Sequence, residues 1–220
     1  MADEKKLFLL DAFALIYRAY FAFAKNPRIN SKGLDTSAIF GFTNSLVEVI
    51  KNQKPSHLAV VFDTPKPTQR HVDFPNYKAQ REAMPEGISN ALPYIDQLLE
   101  ALNIPKLYMD GYEADDVIGT LAKKAEKKGY QVYMMTSDKD FAQLVSENIF
   151  MYRPGNKWQP TQVWGIAEVL ERFKISKVNQ VIDFLAMMGD ASDNIPGIAG
   201  VGEKTAQKFI SEFGSIEGLF

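Results

Sequence analysis

Residues Glu113–Asp138 read EADDVIGTLAKKAEKKGYQVYMMTSD, and this stretch decides the class of fold. Acids crowd its start, Lys123, Lys124, Lys127 and Lys128 fill its last two helical turns, and Gly129 follows. That charge order suits a helix dipole, and the glycine is a helix stop. Gln131–Thr136 then predicts a buried strand that delivers Ser137 and Asp138 at its end. Similar units lie on both sides. Upstream, Lys6–Asp11 is an apolar run ending in a carboxylate, and Leu58–Phe62 is a second short strand ending at Asp63. Ala12–Ala24, Asp35–Lys51 and Ile88–Leu102 have the helical period, and Lys106–Met109 is a brief strand. Downstream, Ile149–Tyr152 predicts one more strand, with helices at about Thr161–Phe173 and Val178–Met188. Strands alternating with helices predict an α/β fold, a mostly parallel central sheet flanked by helices.

Composition narrows the chemistry. The chain has 220 residues, 46% hydrophobic and 24% charged, enough for a sizeable core and unlike a disordered segment. It has no cysteine, which excludes disulfide frameworks, thiolate zinc sites and thiol nucleophiles. His57 and His71 are the only histidines, too few for a histidine-rich metal centre. Met1 to Lys6 is polar, and the apolar run Leu7–Leu10 is too short for a signal or a membrane span, so a cytoplasmic protein with no membrane partner is expected. The formal charge is −2, which argues against holding a polyanion by bulk positive charge. The distribution matters more. If the clustered acids serve metal ions, the remainder of the chain is net basic.

Those acids sit at strand ends. Parallel strands place Asp11, Asp63 and Asp138 on one sheet edge, where ligands of open α/β sheets gather. Glu113, Asp115 and Asp116 begin a helix at the same edge, and Asp140 follows Asp138 by two residues. Singly, each is explained as a helix cap or a dipole partner. Together, seven carboxylates would repel one another unless divalent cations offset them. All-oxygen ligation points to Mg²⁺ or Mn²⁺ rather than zinc, and two such ions make a phosphoryl-transfer or nuclease site. A phosphatase with an aspartyl nucleophile at the first strand end needs a second Asp two positions later; Phe13 stands there.

Two further segments carry chemistry. Thr64–Gly87 interrupts the α/β rhythm with four prolines, the cations Lys66, Arg70, Lys78 and Arg81, and Phe74 and Tyr77 among them. So long an interruption is more often functional than ornamental. If Asn76–Met84 is helical, Lys78 and Arg81 share a face and can grip a scissile phosphate, with Tyr77 free to stack on a base. The plainer alternative is a solvated loop, its charge offset by Asp73, Glu82 and Glu86. Further on, Gly197, Gly200 and Gly202 precede a helix that starts around Glu203. No strand leads into them, so this is no dinucleotide fingerprint. It fits a helix-hairpin-helix turn whose N–H groups meet a duplex phosphate, with Lys204 and Lys208 alongside; a plain glycine-rich loop is the alternative.

Taken in order, Leu9-Leu10-Asp11, Val61-Phe62-Asp63, Tyr77-Lys78-Ala79-Gln80-Arg81, Gly111 to Val117, Thr136 to Asp140 and Gly189 to Gly197 resemble the 5′-nuclease domains of bacterial DNA polymerase I. Those domains are members of the structure-specific 5′-nuclease (flap endonuclease) family. The resemblance implies a PIN-like nuclease core over 1–175, with a helical arch at about 64–87, and a helix-hairpin-helix DNA-binding region over 176–220. It also implies a metal site drawing on Asp11, Asp63, Glu113, Asp115, Asp116, Asp138, Asp140, Asp190 and Asp193. Two or more Mg²⁺ or Mn²⁺ ions would occupy it, with K⁺ at the helix-hairpin-helix. Lys78 and Arg81 would act catalytically on the scissile phosphate, and Arg18, Arg70, Tyr77, Gly197, Gly200, Gly202, Lys204 and Lys208 would contact DNA. The implied activity is 5′→3′ exonuclease and flap cleavage in replication and repair. The implied partners are DNA with 5′ flaps or nicks and a covalently linked polymerase region, with the nuclease itself monomeric. The chain stops at Phe220, where such domains continue with more helices, so the resemblance implies a truncated DNA-binding region. A non-catalytic DNA-junction module and a ribonuclease of the PIN type are the competing readings.

Overall fold

The computed structural model describes residues 5–155 and 159–220; positions 1–4 of the expected polar start lie outside them. Six strands form one sheet: β1 (Lys6–Asp11), β2 (His57–Val61), β3 (Lys106–Leu107), β4 (Gln131–Met135), β5 (Ile149–Arg153) and β6 (Gln162–Trp164), in the order β3-β2-β1-β4-β5-β6. The first five are parallel, and β6 joins antiparallel to β5. Leu9 stands opposite both Ala59 and Met134 at the centre. The chain builds outward from β1 through β2 to β3, then returns to place β4 on the other side of β1. The ends of β1 and β4 therefore flank the crevice where the strand order reverses.

Side-chain alternation divides the core into two layers. Leu9, Ala59, Val61, Val132 and Met134 face α5 (Ala114–Glu126), α6 (Ile166–Phe173), α7 (Gln180–Met188) and α8 (Glu203–Phe213). Phe8, Leu10, Val60 and Met135 face α1 (Ala12–Ala22), α2 (Ser37–Glu48) and α4 (Glu86–Ala101). Both faces are apolar because both are covered, as in a parallel sheet. Ala206 and Ile210 of α8 belong to the same apolar layer as α5, so the C-terminal helices share the core of the sheet.

Two segments differ from the sequence-based expectation. The helix expected over Thr161–Phe173 begins at Ile166, because Gln162, Val163 and Trp164 pair with β5. Arg153 lies over the Trp164 ring, 4.2 Å from its centroid, and fastens that edge. Of the two readings of Asn76–Met84 the helix does not form: turns run to Gln80 and residues 81–85 have no regular structure, preceded by the short α3 (Gln69–Asp73). Lys78 sits there in the left-handed region at φ 56°, which an α-helix does not allow.

Between α7 and α8 the chain makes a small hairpin, β7 (Gly189–Asp190) against β8 (Ile195–Pro196). A Cβ on Gly197 would lie 2.3 Å from the Met188 carbonyl carbon, and one on Gly189 would lie 2.3 Å from the Gly197 nitrogen. Backbone meets backbone here, so nothing yields easily. Gly197→Ala should lower stability by about 1–3 kcal/mol, the usual cost of overpacking. A urea midpoint unchanged from the parent would show that the hairpin is not held this closely.

Candidate active site

The fold brings six of the nine predicted acids to one mouth, and Asp116, Asp140 and Asp190 lie outside its lining. Asp11, Asp63, Asp115 and Asp138 line a single cavity of about 740 Å³ at the carboxyl edge of the sheet, with Glu113, Asp193, Lys78 and Arg81. Each acid is fixed by the local chain. Asp11 ends β1 and caps α1 through Oδ1, which accepts the Ala14 N–H at 3.1 Å; its Oδ2 accepts the Thr136 hydroxyl at 3.0 Å. Asp63 follows β2 and accepts the first N–H of α5, from Ala114, at 2.7 Å. Asp115 stands in the first turn of α5. Asp138 starts a 3₁₀ turn and accepts the Asp140 N–H at 2.9 Å. Capping and site-building coincide in the same side chains.

Among the described residues no cation lies within ion-pair distance of these four. Burial, with the charges of Asp11, Asp138 and Asp63 added, pushes Asp115 up to about 8. Burial also pushes Asp11 up to about 6, against hydrogen bonds from Ala14 and Thr136 that pull it down.

The outer acids are neutralised by the chain itself. Arg70 grips Asp116 with two 2.7 Å hydrogen bonds and holds its carboxyl below the usual range. Lys78 Nζ lies 2.8 Å from Glu113 and 3.7 Å from Asp193, and Arg81 lies 2.5 Å from Asp193. Asp190 is raised by burial, but its hydrogen bonds from Ser192 and Lys139 outweigh this and hold it low. Asp140 is raised to about 6 by burial and by Asp138, and its Oδ1 is buried without a hydrogen-bond partner.

The donor set fits hard divalent cations. The acids at the mouth offer oxygen alone, and His71 in its wall is engaged through Nδ1 with Thr68. Among the described residues, no three acids form a ready cage for one ion.

Several predicted contact residues sit otherwise than expected. Tyr77 does not present a free ring for stacking. It is 5% exposed, and its hydroxyl donates to Glu113 at 3.0 Å and Asp193 at 3.1 Å. Arg18 donates to the carbonyls of Pro154 and Gly155, tying α1 to the end of β5 rather than entering the cavity. Gly197 lies against the Met188 carbonyl in the hairpin and is itself exposed, and Gly200, at φ 79°, and Gly202, the N-cap of α8, have open space around them. Lys204 and Lys208 are exposed on α8. Sequence reasoning missed Thr136, fully buried, which links Asp11 to Asp138 by donating to the first and accepting the N–H of the second at 3.1 Å. It also missed Tyr17, Thr68, His71 and Tyr112 in the cavity wall.

Comparisons with known proteins bear on the family and the fold. Residues 6–174 match the family model of the 5′-3′ exonuclease N-terminal, resolvase-like domain, and 176–220 match the 5′-3′ exonuclease C-terminal SAM fold. The chain is 40% identical to a 5′-3′ exonuclease of Aquifex aeolicus (strain VF5), covering 98% of this chain and 72% of that one. It is 41% identical to DNA polymerase I of Bacillus subtilis (strain 168) over its whole length, but spans only 24% of that relative. In fold it matches a structure of T5 5′-exonuclease with zinc bound, at TM-score 0.76 and 22% identity, covering 97% of this chain and 78% of that one. It also matches T5 flap endonuclease in complex with DNA and metal ions, at TM-score 0.74 and 22% identity, covering 97% and 77%. With both family models placed end to end along it, the chain belongs to the 5′-3′ exonuclease family.

Proposed function

We propose that this chain hydrolyses DNA phosphodiester bonds at 5′ ends and flap junctions, using divalent cations. One observation carries the reading: four carboxylates that make no ion pair among the described residues share a cavity that Lys78 and Arg81 enter from the insertion. Asp11, Asp63, Asp115 and Asp138 would hold Mg²⁺ or Mn²⁺ directly, with Glu113, Asp116, Asp140, Asp190 and Asp193 acting through water. Such ions lower the pKa of water at the site and offset phosphoryl charge. The chain's own groups do the rest. Thr136 holds the Asp11 carboxylate in orientation. Lys78 and Arg81 stand on Glu113 and Asp193, so an entering phosphate exchanges one set of anionic oxygens for another at the same cations. They then stabilise charge on the non-bridging oxygens as the bond breaks.

Gly200, Gly202, Lys204 and Lys208 at the start of α8 form the phosphate-binding turn of the duplex, with K⁺ on its carbonyls. The nuclease core spans 1–175 with the arch at 64–87, and the duplex-holding region spans 176–220. The domain works as a monomer, joined in the longer protein to a polymerase region. Among the described residues no helix is long and apolar enough to cross a membrane. A 5′-labelled flap incubated with and without Mg²⁺ tests the reading, with product length read at nucleotide resolution. Cleavage within a nucleotide or two of the junction, only with the metal, is expected. Binding without any metal-dependent product would leave a junction-binding module instead.

A further inference from the structure

The chain's two histidines stand at opposite edges of the sheet. His57 begins β2 at the amino edge, whereas His71, on α3 of the insertion, lines the acid-lined cavity at the carboxyl edge. The His71 ring is fixed from two sides. Its Nδ1 accepts the Thr68 N–H at 3.2 Å and lies 2.9 Å from the Thr68 hydroxyl. Its face or edge meets the Tyr77 ring at 5.3 Å and 77°, and Tyr77 is itself held by Glu113 and Asp193.

These contacts decide where the imidazole carries its proton. The Thr68 N–H can only donate, so Nδ1 is the acceptor and the neutral ring is protonated on Nε2. Among the described residues Nε2 has no hydrogen-bond partner. The buried side-chain atoms left unpaired there are Thr64 Oγ1 and Asp140 Oδ1, and Nε2 is not one of them. The Nε2–H therefore reaches open space, and the space that His71 borders is the cavity. The other donors on the insertion's side of that cavity are already engaged, Lys78 by Glu113 and Arg81 by Asp193. His71 has no anion to release before it meets a ligand.

We propose that His71 is a further catalytic residue, whose Nε2–H donates to a non-bridging oxygen of the phosphate being cleaved. The proposal rests on the nuclease reading and adds to it a neutral donor beside the two cations. No proton is transferred: it stays on Nε2 while charge grows on the oxygen it faces. Held by Thr68 and Tyr77, the ring needs no reorganisation at that moment, which is what makes a fixed donor effective.

Two measurements test it. Long-range proton–nitrogen spectra of the histidine-labelled chain show two rings, and His71→Gln assigns them by removing one. The Nε2–H tautomer is expected for His71, with an Nε2 resonance that moves when a 5′ flap DNA is added in Ca²⁺. The Nδ1–H tautomer, or an Nε2 resonance that ignores the DNA, overturns the proposal. Single-turnover rates at saturating DNA then separate the donor from the contact with Thr68. Asparagine offers an acceptor near Nδ1 and nothing at Nε2; glutamine offers an N–H near Nε2 and nothing at Nδ1. His71→Asn should lower the rate by about tenfold, the worth of one hydrogen bond, with a melting temperature near the parent's. His71→Gln should recover most of that loss. The reverse order would make His71 only a partner of Thr68 and overturns the proposal, as do equal rates in the two variants. A parent without metal-dependent product would fail the nuclease reading itself, and the spectra would still show whether Nε2 meets the DNA.

Discussion

Asp115→Asn should cut turnover on a 5′ flap by about 100-fold or more and at the same time raise the melting temperature of the metal-free chain. The first effect follows from removing a carboxylate from the acid-lined cavity, where one electrostatic group is worth roughly 10²–10³ in rate. The second follows from linkage. The folded chain holds the Asp115 proton up to about pH 8, because of burial and its acidic neighbours, whereas the unfolded carboxylate releases it near 3.8. Stability from that proton is fully present below about pH 4 and is lost as pH rises through the folded value. The parent in EDTA should therefore melt at a lower temperature at pH 8 than at pH 5, with Asp11 adding to the lower part of the fall. The Asn variant should show a smaller difference. Mg²⁺ should raise the parent's melting temperature more at pH 8 than at pH 5, because it binds the ionised form. Melting curves in EDTA and in Mg²⁺, set beside single-turnover rates, check both signs. A variant that is both less stable and fully active would remove Asp115 from the site.

Lys78→Ala should lower the rate at saturating DNA by about 10²–10³, with a smaller effect on affinity. Its ammonium stands 2.8 Å from Glu113 in the cavity wall, and it is the insertion's most deeply placed cation, 16% exposed at its side chain. The turn around it does not depend on that ammonium. The Lys78 N–H donates to the Asp193 carbonyl at 3.0 Å, and Gln80 donates to the carbonyls of Ala191 and Ser192. The variant should therefore fold, with a melting temperature close to the parent's. Single-turnover rates over a DNA titration separate the two roles. Loss of binding with no rate defect at saturation would make Lys78 a contact residue only.

What could be read from residues alone follows from which interactions are local. Asp11, Asp63 and Asp138 were legible because apolar runs mark buried strands, and parallel strands leave their ends together. Asp115 was legible because a helix start carries its first turn to the same edge. The shape of the insertion was not. Pro75 and Pro85 mark irregular backbone, but the turn at Lys78 is made by contacts with residues 191–194, more than a hundred positions away. Tyr77 is buried for the same reason; its partners Glu113 and Asp193 come from other elements. Thr136 carried no signal of its own beyond following a strand. Strand β6 is three residues long, and Val163-Trp164 before Gly165 was its one local mark. The second reason for a glycine at 197, the close approach of the Met188 carbonyl across the hairpin, was not legible, because spacing records a glycine without saying what packs on it.

The central claim is that acids scattered along the chain fold into one pocket that holds divalent cations against DNA. Mn²⁺ binding followed by electron paramagnetic resonance, with and without a flap DNA, addresses it most directly. Saturable uptake of two ions by the parent is expected, strengthened by the DNA and reduced to one ion or fewer in Asp115→Asn and Asp138→Asn. Uptake that both substitutions leave unchanged would contradict it.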